Sequence, residues 1–456
     1  MLVKVRNLAA GAALATAFTT FAAYAANVAI PDGPPAPACE AKPEYGCFVP
    51  PPPEPGTDLP TASVAFSMRP AVDNSFHIVA MQKGWFEDVG ITIEPKPNGF
   101  KATDENAIPL VVRNQNNLGA MFGPSVLQTL RNNKKLKMIM YTDDFVGNMI
   151  WASPNSGLKP VDEYLKQGMS IEAALKATLE PLVSPGKKLA TTAALDTRPF
   201  IDVAFGLAGL PKPELLLVDD PQNLVLSRSG QVEFSLPVHA STNLTLKNEG
   251  WIELVSISDL INNVKGGPDS PVQSIVYTVG IMGNTDFINE NPNATLRFVS
   301  AVFRTIDAVL ADGGKEGGLL SAAYPFINAY SGTNLDEAGT YYVLSTFDPL
   351  SPWSSQGKYF TDKEDPRYYN TAAAAFIKTL VDSQALPEDI VPDDGIWAAQ
   401  IYDTLKWYQT QTDAILAALE KEPLDDSKKA LVERAKQYYA WYDFLDAFRL
   451  AKAAAQ

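Results

Sequence analysis

Short apolar runs alternate along the chain with longer segments of helical periodicity, starting near residue 61. An uninterrupted apolar run predicts a strand buried on both faces, whereas apolar residues at every third or fourth position predict a helix. Alternation of these two kinds of element favours an α/β fold with largely parallel sheets. The predicted strands are Ala62–Met68, Ile91–Ile93, Leu118–Phe122, Leu136–Tyr141, Met149–Ala152, Lys187–Thr191, Leu215–Val218, Val232–Leu236 and Gln273–Gly280.

The loop after the first predicted strand leads into a short helix, expected from about Phe76 to Lys83. Asn74 or Ser75 is expected to cap this helix with its side chain. Gly84 stands where helices often end in a left-handed residue. A loop that feeds a helix beside the ends of strands is a common ligand-binding position in open α/β sheets.

The first 25 residues have the pattern of a secretory signal peptide. Lys4 and Arg6 precede an apolar, small-residue-rich stretch, and Ala23-Tyr24-Ala25 fits a cleavage site. No cysteine follows the expected cleavage point, so we expect no lipid anchor. The mature protein is expected to be exported, most simply to a bacterial periplasm.

Residues 26–60 are rich in proline, including the run Pro50–Pro53, and predict an extended spacer with polyproline II character. A tether is the main interpretation, and a docking peptide is the alternative. Cys39 and Cys47 are the two cysteines of the chain. In an exported segment they predict a local disulfide.

Composition and charge exclude some classes of partner. The hydrophobic fraction is 46% and the net charge is −15. The hydrophobic fraction is typical of a globular protein. The negative net charge argues against binding to nucleic acid or to an anionic membrane.

The chain ends in three predicted helices, at roughly 369–386, 395–420 and 427–454. Aromatic residues recur on the last two at helical spacing, which predicts core positions, with a partner-binding face as the alternative. They are Trp397, Tyr402, Trp407, Tyr408, Tyr438, Trp441, Phe444 and Phe448. A helical insertion at 158–184 and a loop-like stretch at 341–369 are also expected.

Several segments, in order, resemble one family of transport proteins. The segment Lys83-Gly84-Trp85-Phe86-Glu87, with Gly90 behind it, resembles the opening of the solute-binding proteins of ABC importers for nitrate, sulfonates, taurine and thiamine precursors. Further matching segments lie at 118–125, 185–200, 229–237 and 286–299. The resemblance covers roughly residues 62–310.

The resemblance implies a type II periplasmic-binding-protein fold with two lobes, mixed and mostly parallel sheets, and two crossover segments. Lobe I would comprise 61–152 and 275–345, lobe II 153–272, and a C-terminal helical extension 346–456. The crossings are expected near Ala152–Ser153 and Ser274–Tyr277. The implied function is that of an extracytoplasmic, monomeric receptor that delivers a small molecule to an ABC permease, without a cofactor.

The ligand is expected between the lobes, held by polar side chains at strand ends and helix starts. The candidate ligand-binding residues are Asn74, Ser75, Phe76, His77, Ser125, Asp144, Thr192, Asp196, Arg198 and His239. Arg198 and a helix begun near Pro199 would suit an anion. Asp144 and Asp196 would suit an amine or a ring N–H group. Phe76, Phe145 and Trp151 favour an organic ligand with an apolar part.

Catalysis has little support in the sequence. It contains no nucleophile elbow, phosphate-binding loop, dinucleotide fingerprint or zinc-hydrolase motif. Its two histidines lack the spacing of a metal site. The thiamine-pyrimidine synthases share the implied fold, but this chain lacks their cysteine-rich motif. The remaining alternative is a non-transport accessory or sensor protein whose C-terminal helices bind another protein.

Overall fold

Two separate β-sheets organise the protein, whose computed structural model describes residues 33–34, 44–103, 106–192 and 197–456. The first sheet has the strand order β2-β1-β4-β11-β5, with β3 paired to β1, and the second has the order β10-β6-β9-β7-β8. The strands are β1 Ala62–Met68, β2 Ile91–Glu94, β3 Phe100–Lys101, β4 Leu118–Phe122, β5 Leu136–Phe145, β6 Met149–Ala152, β7 Leu189–Thr191, β8 Leu215–Leu217, β9 Phe234–Leu236, β10 Ile252–Ser256 and β11 Tyr277–Asn284.

Helices cover both sheets and extend well beyond them. They are α1 Val72–Ser75, α2 Ile78–Lys83, α3 Trp85–Asp88, α4 Ala107–Val112, α5 Gly123–Thr129, α6 Val161–Lys166, α7 Ile171–Leu179, α8 Thr197–Leu207, α9 Asp220–Arg228, α10 Ala240–Asn248, α11 Ile257–Asn263, α12 Thr285–Glu290, α13 Pro292–Asp312, α14 Leu319–Ser331, α15 Glu337–Tyr342, α16 Gly357–Phe360, α17 Tyr369–Asp382, α18 Ala398–Leu419, α19 Asp426–Ala440 and α20 Phe444–Ala455. Within the described part of the chain, none of these helices has the length and apolarity that a membrane span needs.

Both sheets are mixed, as the sequence predicts. In the first sheet β1 pairs in parallel with β2, β3 and β4, whereas β11 runs antiparallel to β4 and β5. In the second sheet β7 is parallel to β8 and β9, whereas β6 is antiparallel to β9 and β10. The expected α/β class, with two sheets linked by two crossings, is confirmed.

The chain crosses between the sheets at two places. The first crossing is 146–148, because β5 ends the first sheet and β6 already pairs in the second, with Trp151 opposite Ser235. The predicted first crossing near Ala152–Ser153 was therefore too late in the chain, and β6 does not belong to the first lobe. The return crossing ends at Tyr277, within the predicted range. We call residues 62–145 and 277–348 lobe I, and residues 149–275 lobe II.

The helix predicted for residues 76–83 forms as two short helices, α1 and α2. The expected cap is absent, because the Ser75 hydroxyl donates to the carbonyl of Ala71 at 2.7 Å instead of accepting from a helix N–H group. Gly84 ends α2 with φ +70°, as predicted, in the left-handed region that favours glycine.

Residues 44–60 are docked against the body of the protein, so the prediction of a free tether was wrong for this segment. Phe48 is fully buried, and the hydroxyl of Tyr408 donates to the carbonyl of Pro51 at 2.7 Å. Arg449 donates to the carbonyl of Asp58 at 3.0 Å. The predicted signal peptide and Cys39 lie outside the described residues, so the signal peptide and the Cys39–Cys47 disulfide remain predictions.

The C-terminal helices add to the core of lobe I. Most of their aromatic side chains are buried and the others pack against the same cluster, which confirms the prediction of core positions. Arg297 of α13 binds Asp446 of α20 through a buried, two-pronged ion pair with distances of 2.6 and 2.9 Å. The single helix predicted for 427–454 is instead α19 and α20, because Tyr442 has φ +65° and Asp443 caps the second helix.

Two other expected regions form helices. The insertion at 158–184 contains α6 and α7, as predicted, and Ser170 caps α7. The stretch at 341–369, predicted as loop-like, contains a π-helical turn over Val343–Phe347 and the short helix α16. Its buried side chains, Phe347 and Tyr359 among them, provide the packing that orders it.

Candidate functional site

A cavity of about 900 Å³ lies between the two lobes and is lined by both. Lobe I contributes the segment from Arg69 to Asn74, which includes most of α1, aromatic residues of β4, β5 and β11, and residues 331–334. Lobe II contributes residues 238–241, at the start of α10. We call this cavity the interlobe cleft. Its volume matches that of a site for a small organic molecule.

Asp73 and Asn74 form one polar edge of the interlobe cleft. Both are buried, with 9% and 2% of their surface exposed. The amide nitrogen of Asn74 donates to Asp73 Oδ2, while Asn74 Oδ1 has no hydrogen-bond partner. The Asn74 oxygen is thus the amide atom without any partner, and a ligand that donates a hydrogen bond would satisfy it.

Asp348 lies on the same cavity, with Oδ1 also lacking a partner. Burial raises the pKa of Asp348 well above its ordinary value, and repulsion from Asp73 and Asp143 adds to the shift. Burial likewise raises the pKa of Asp143, again with a contribution from Asp73. Burial also raises the pKa of Asp73, and the attraction of Arg69 opposes that shift. Three carboxyl groups are therefore close enough in lobe I to disfavour one another's ionisation.

Aromatic rings form the apolar wall of the interlobe cleft. The Tyr277 ring lies 5.6 Å from the ring of Phe122 and 6.3 Å from that of Phe145. Phe145 in turn meets Phe347 edge to face at 5.8 Å. These four rings all line the cavity, and they can contact an apolar or cationic group of a ligand.

The lobe II side of the cleft presents His239. Its backbone N–H donates to Asp220 Oδ2 at 2.8 Å, and its ring Nδ1 lies 2.9 Å from the same oxygen. The side chain remains 71% exposed. Asp220 therefore orients the ring from behind, and the outer part of the imidazole is available at the rim of the cleft.

Two of the ten predicted ligand residues, Asn74 and His239, line the interlobe cleft. Ser75, Phe76 and His77 are fully buried behind it. The His77 ring packs against Phe76 at 4.0 Å and Phe66 at 5.3 Å, and neither of its nitrogens has a hydrogen-bond partner. Burial lowers the pKa of His77 to about 3. This histidine is a neutral core residue in the structure.

Asp144 is held in a buried ion-pair cluster and does not line the cleft. It accepts from Lys358 at 2.9 Å, from Arg367 at 3.0 Å and from the hydroxyl of Tyr359 at 2.8 Å. Burial opposes its ionisation, but the two cations outweigh burial and hold the pKa of Asp144 below its ordinary value. Asp143 and Asp144 are adjacent residues of β5, where successive side chains alternate between the two faces, and both are buried.

The remaining predicted ligand residues lie elsewhere. Ser125 is half-buried in the first turn of α5, and Thr192 and Arg198 lie at the end of β7 and the start of α8. None of these three lines the interlobe cleft. Asp196 lies outside the described residues. Of the predicted aromatic residues, Phe145 lines the cleft, whereas Trp151 is buried and donates to Asn243 at 2.6 Å.

A second cavity, of about 760 Å³, lies between α8, residues 268–277 and α17. It brings together lobe II and the C-terminal extension, and its lining is mostly apolar, with Asp202 and Asp269 as charged members. Gln273 of the second cavity also has buried side-chain atoms without partners. We regard the interlobe cleft as the better candidate site because both lobes line it and because its unpartnered atoms come from two separate segments, at Asn74 and Asp348.

The site residues that sequence reasoning missed are Arg69, Asp73, Phe122, Tyr277, Phe347 and Asp348. Asp73 and Arg69 stand in the same loop as Asn74, so their position beside a predicted ligand residue was a usable signal. Asp348 had no such signal, because it lies within the loop-like stretch predicted at 341–369 and beyond residue 345, where the predicted lobe I ended.

No protein-family model and no curated protein matches the sequence. Among solved structures, the chain is similar to the periplasmic sulfonate-binding protein SsuA from Methylobacillus flagellatus, with 12% identity, a TM-score of 0.47, and coverage of 76% of this chain and 96% of that one. It is also similar to SsuA from Escherichia coli, with 11% identity, a TM-score of 0.45, and coverage of 74% and 92%.

A third similar structure is the periplasmic nitrate-binding protein NrtA from Synechocystis, with 13% identity, a TM-score of 0.41, and coverage of 77% and 89%. The protein itself consists of two α/β lobes joined by two crossings and enclosing a cleft, which is the fold expected from the sequence.

Proposed function

We propose that the protein is a receptor for a small organic solute, which it binds in the interlobe cleft and delivers, outside the cytoplasm, to an ABC import permease. The observation that carries this proposal is a cavity of about 900 Å³ lined from both lobes. A ligand in that position contacts residues of both lobes at once, so binding favours their closed arrangement.

The chemistry of the lining supports binding of a small molecule. The cleft combines an aromatic wall with a few buried polar atoms that lack partners, among them Asn74 Oδ1 and Asp348 Oδ1. An unpartnered buried polar atom costs about 1–3 kcal/mol, which a ligand hydrogen bond can recover. Small-molecule sites have this composition of apolar surface with a few oriented polar groups.

The alternative, an accessory protein that binds a partner through its C-terminal helices, has less support. The aromatic side chains that suggested such an interface pack inside the molecule. In α18, α19 and α20, all of whose residues are described, no large hydrophobic side chain is among the exposed ones.

Native mass spectrometry tests the proposal directly. The protein, purified from the periplasm without refolding, should carry a molecule that leaves on denaturation, and adding that molecule back should raise the midpoint of thermal unfolding. At a ligand concentration of a hundred times Kd, the gain in unfolding free energy should be about 2.7 kcal/mol. Absence of any bound molecule, and of any response to a broad metabolite collection, would count against a receptor.

Transport and export need separate measurements. Deleting the gene should abolish cellular uptake of the identified ligand, and the exported protein should begin near Ala26. Uptake that is unchanged after deletion would leave a binding protein without the proposed role in transport.

A further inference from the structure

We infer that the solute is an organic cation, a protonated amine or amidine carried on an apolar body, and that its charged nitrogen binds at Asp73, Asn74 and Asp348. This inference rests on the proposed receptor function and specifies the class of ligand. The apolar body would lie on the wall formed by Phe122, Phe145, Tyr277 and Phe347.

The first support is the balance of acceptors and donors among the buried groups. Asn74 Oδ1 and Asp348 Oδ1 both lack partners and both residues line the cleft, while Asp143 Oδ2 lacks a partner beneath it. An ammonium or amidinium group offers only donors, and these atoms accept hydrogen bonds when the carboxyl groups are ionised. Although burial raises the pKa values of Asp348 and Asp143, a bound cation favours their ionised form because an opposite charge nearby lowers a carboxyl pKa. Asn74 matters most, because it is an uncharged side chain, is 2% exposed, and keeps its oxygen without a partner while its nitrogen donates to Asp73.

The second support is the charge around those atoms. The charged or titratable residues that line the cleft are Arg69, Asp73, His239, Tyr277 and Asp348, with Asp143 buried below. Arg69 acts on Asp73, and Asp220 engages His239. An anionic ligand would add a further negative charge to three buried carboxyl groups, whereas a cation would relieve their mutual repulsion.

The third support is the aromatic wall. A cation within about 6 Å of an aromatic face is attracted by the ring quadrupole, and a desolvated site strengthens the attraction. Across the described residues, no group of three or more His, Cys, Asp or Glu side chains has the arrangement of a metal site. The cleft therefore suits an organic cation with an apolar part better than a metal ion.

The test compares three probes of nearly equal shape and different charge, measured by calorimetry and thermal unfolding at pH 7.5. They are 2-phenylethylamine, which is cationic, 2-phenylethanol, which is neutral, and phenylmethanesulfonate, which is anionic. The amine should bind about tenfold or more tightly than the alcohol, which corresponds to about 1.4 kcal/mol, and the sulfonate should bind most weakly.

Variants connect the charge preference to the site. Asp348→Asn should lower the affinity for 2-phenylethylamine about tenfold and leave the affinity for 2-phenylethanol unchanged, because it removes one charge and keeps the shape. Asp73→Asn provides a second test should Asp348→Asn fail to fold. Asp426→Asn is the matched control, since the side chain of Asp426 is fully exposed in α19, away from the cleft residues.

The outcomes separate this inference from the receptor proposal. Two results would overturn the inference that the ligand is a cation: tighter binding of the sulfonate, or amine binding that neither Asp348→Asn nor Asp73→Asn weakens. Either result would leave the proposed receptor function standing. If no probe binds, the charge of the molecule released in native mass spectrometry decides: a cation supports the inference, and an anion or a neutral molecule overturns it. If no probe binds and no molecule is released, both proposals fail.

Discussion

Arg367 donates through Nε to Asp144 Oδ2 at 3.0 Å, and through Nη2 to Asn262 Oδ1 at 2.5 Å. Asp144 belongs to lobe I and Asn262 to lobe II, so one guanidinium joins the two lobes. Next to it, Gly266 of lobe II donates its N–H to the carbonyl of Glu364 at 2.9 Å. The segment 364–367 of the C-terminal extension thus binds both lobes at once, and we call it the interlobe strap.

Replacing Arg367 should destabilise the protein. Arg367→Ala removes one of the two cations beside Asp144, which is 3% exposed, and leaves that carboxylate with Lys358 as its one cation and with the hydroxyl of Tyr359. We expect a loss of about 2–4 kcal/mol in the free energy of unfolding, measured by urea titration, because a buried charge that loses its partner is costly. Lys363→Ala, at an exposed position of the same segment, is the control. Equal stability of the two variants would contradict a structural role for the ion pair between Arg367 and Asp144.

His77 should make the protein less stable in acid. Its pKa is about 3 in the folded state and 6.5 in an unperturbed histidine, so the unfolded chain binds a proton between these pH values and the folded protein does not. The contribution of His77 to the free energy of unfolding is therefore complete above pH 6.5 and decreases as the pH falls towards 3. At pH 4.5 the loss should be about 2.7 kcal/mol.

His77→Leu isolates this contribution, since all other titrating groups are common to both proteins. The wild-type protein should lose about 2.7 kcal/mol relative to the variant when urea titrations at pH 7.5 and pH 4.5 are compared. Unfolding free energies that change in parallel in the two proteins would show that His77 is solvated or paired in solution.

Phe48 should anchor the N-terminal segment to the C-terminal helices. Phe48→Ala removes a fully buried ring and should cost about 3–5 kcal/mol, and it should make residues 44–60 accessible to limited proteolysis. Val49→Ala changes the adjacent residue, whose surface is 58% exposed, and should cost less than about 0.5 kcal/mol. A segment that is cleaved equally fast in the wild-type protein would not be docked in solution.

Gly147 lies in the first crossing and contacts the ring of Phe347, part of the cleft wall. A Cβ atom at this position would overlap the ring of Phe347 on three of its carbons. Gly147→Ala should therefore cost about 1–3 kcal/mol in the unfolding free energy and weaken ligand binding, because the ring must move.

Two further variants test whether the clash with the ring of Phe347 causes the loss of stability in Gly147→Ala. Phe347→Leu should partly restore the stability of Gly147→Ala, as a double-mutant cycle would measure. Gly206→Ala in α8, where nothing lies within 4 Å of the added atom, should be neutral or stabilising. A fully additive pair of substitutions at 147 and 347 would rule out the steric explanation.

The sequence predicts nine of the eleven strands found in the described residues, because local apolar runs mark them, but it misses β3 and β10. β4 matches its predicted bounds, Leu118–Phe122, and so does β6, Met149–Ala152. Gly84 ends its helix as expected, since a left-handed residue is a local requirement. The break between α19 and α20 also had a local signal in Asp443, a residue type that often caps helices.

The candidate site was harder to predict because distant segments build it. Asp144 looked available for a ligand, but Lys358 and Arg367, more than 200 residues later, occupy it. Asp348 reaches the cleft from a stretch whose helical turn depends on tertiary packing. Residues 44–60 have no periodic apolar pattern, and their docking depends on partners such as Tyr408 and Arg449. Local patterns carry no information about such partners.

Under the proposed function, the interlobe strap affects how quickly a solute enters and leaves the cleft. Opening by a hinge at 146–148 must lengthen or break the bonds from Arg367 to Asn262 and from Glu364 to Gly266. The width of the open state and the dwell time of the bound molecule are then governed partly by a segment outside both lobes. Amide deuterium exchange at Gly266 would report each such opening event, and its rate should set an upper limit on the rate of solute release.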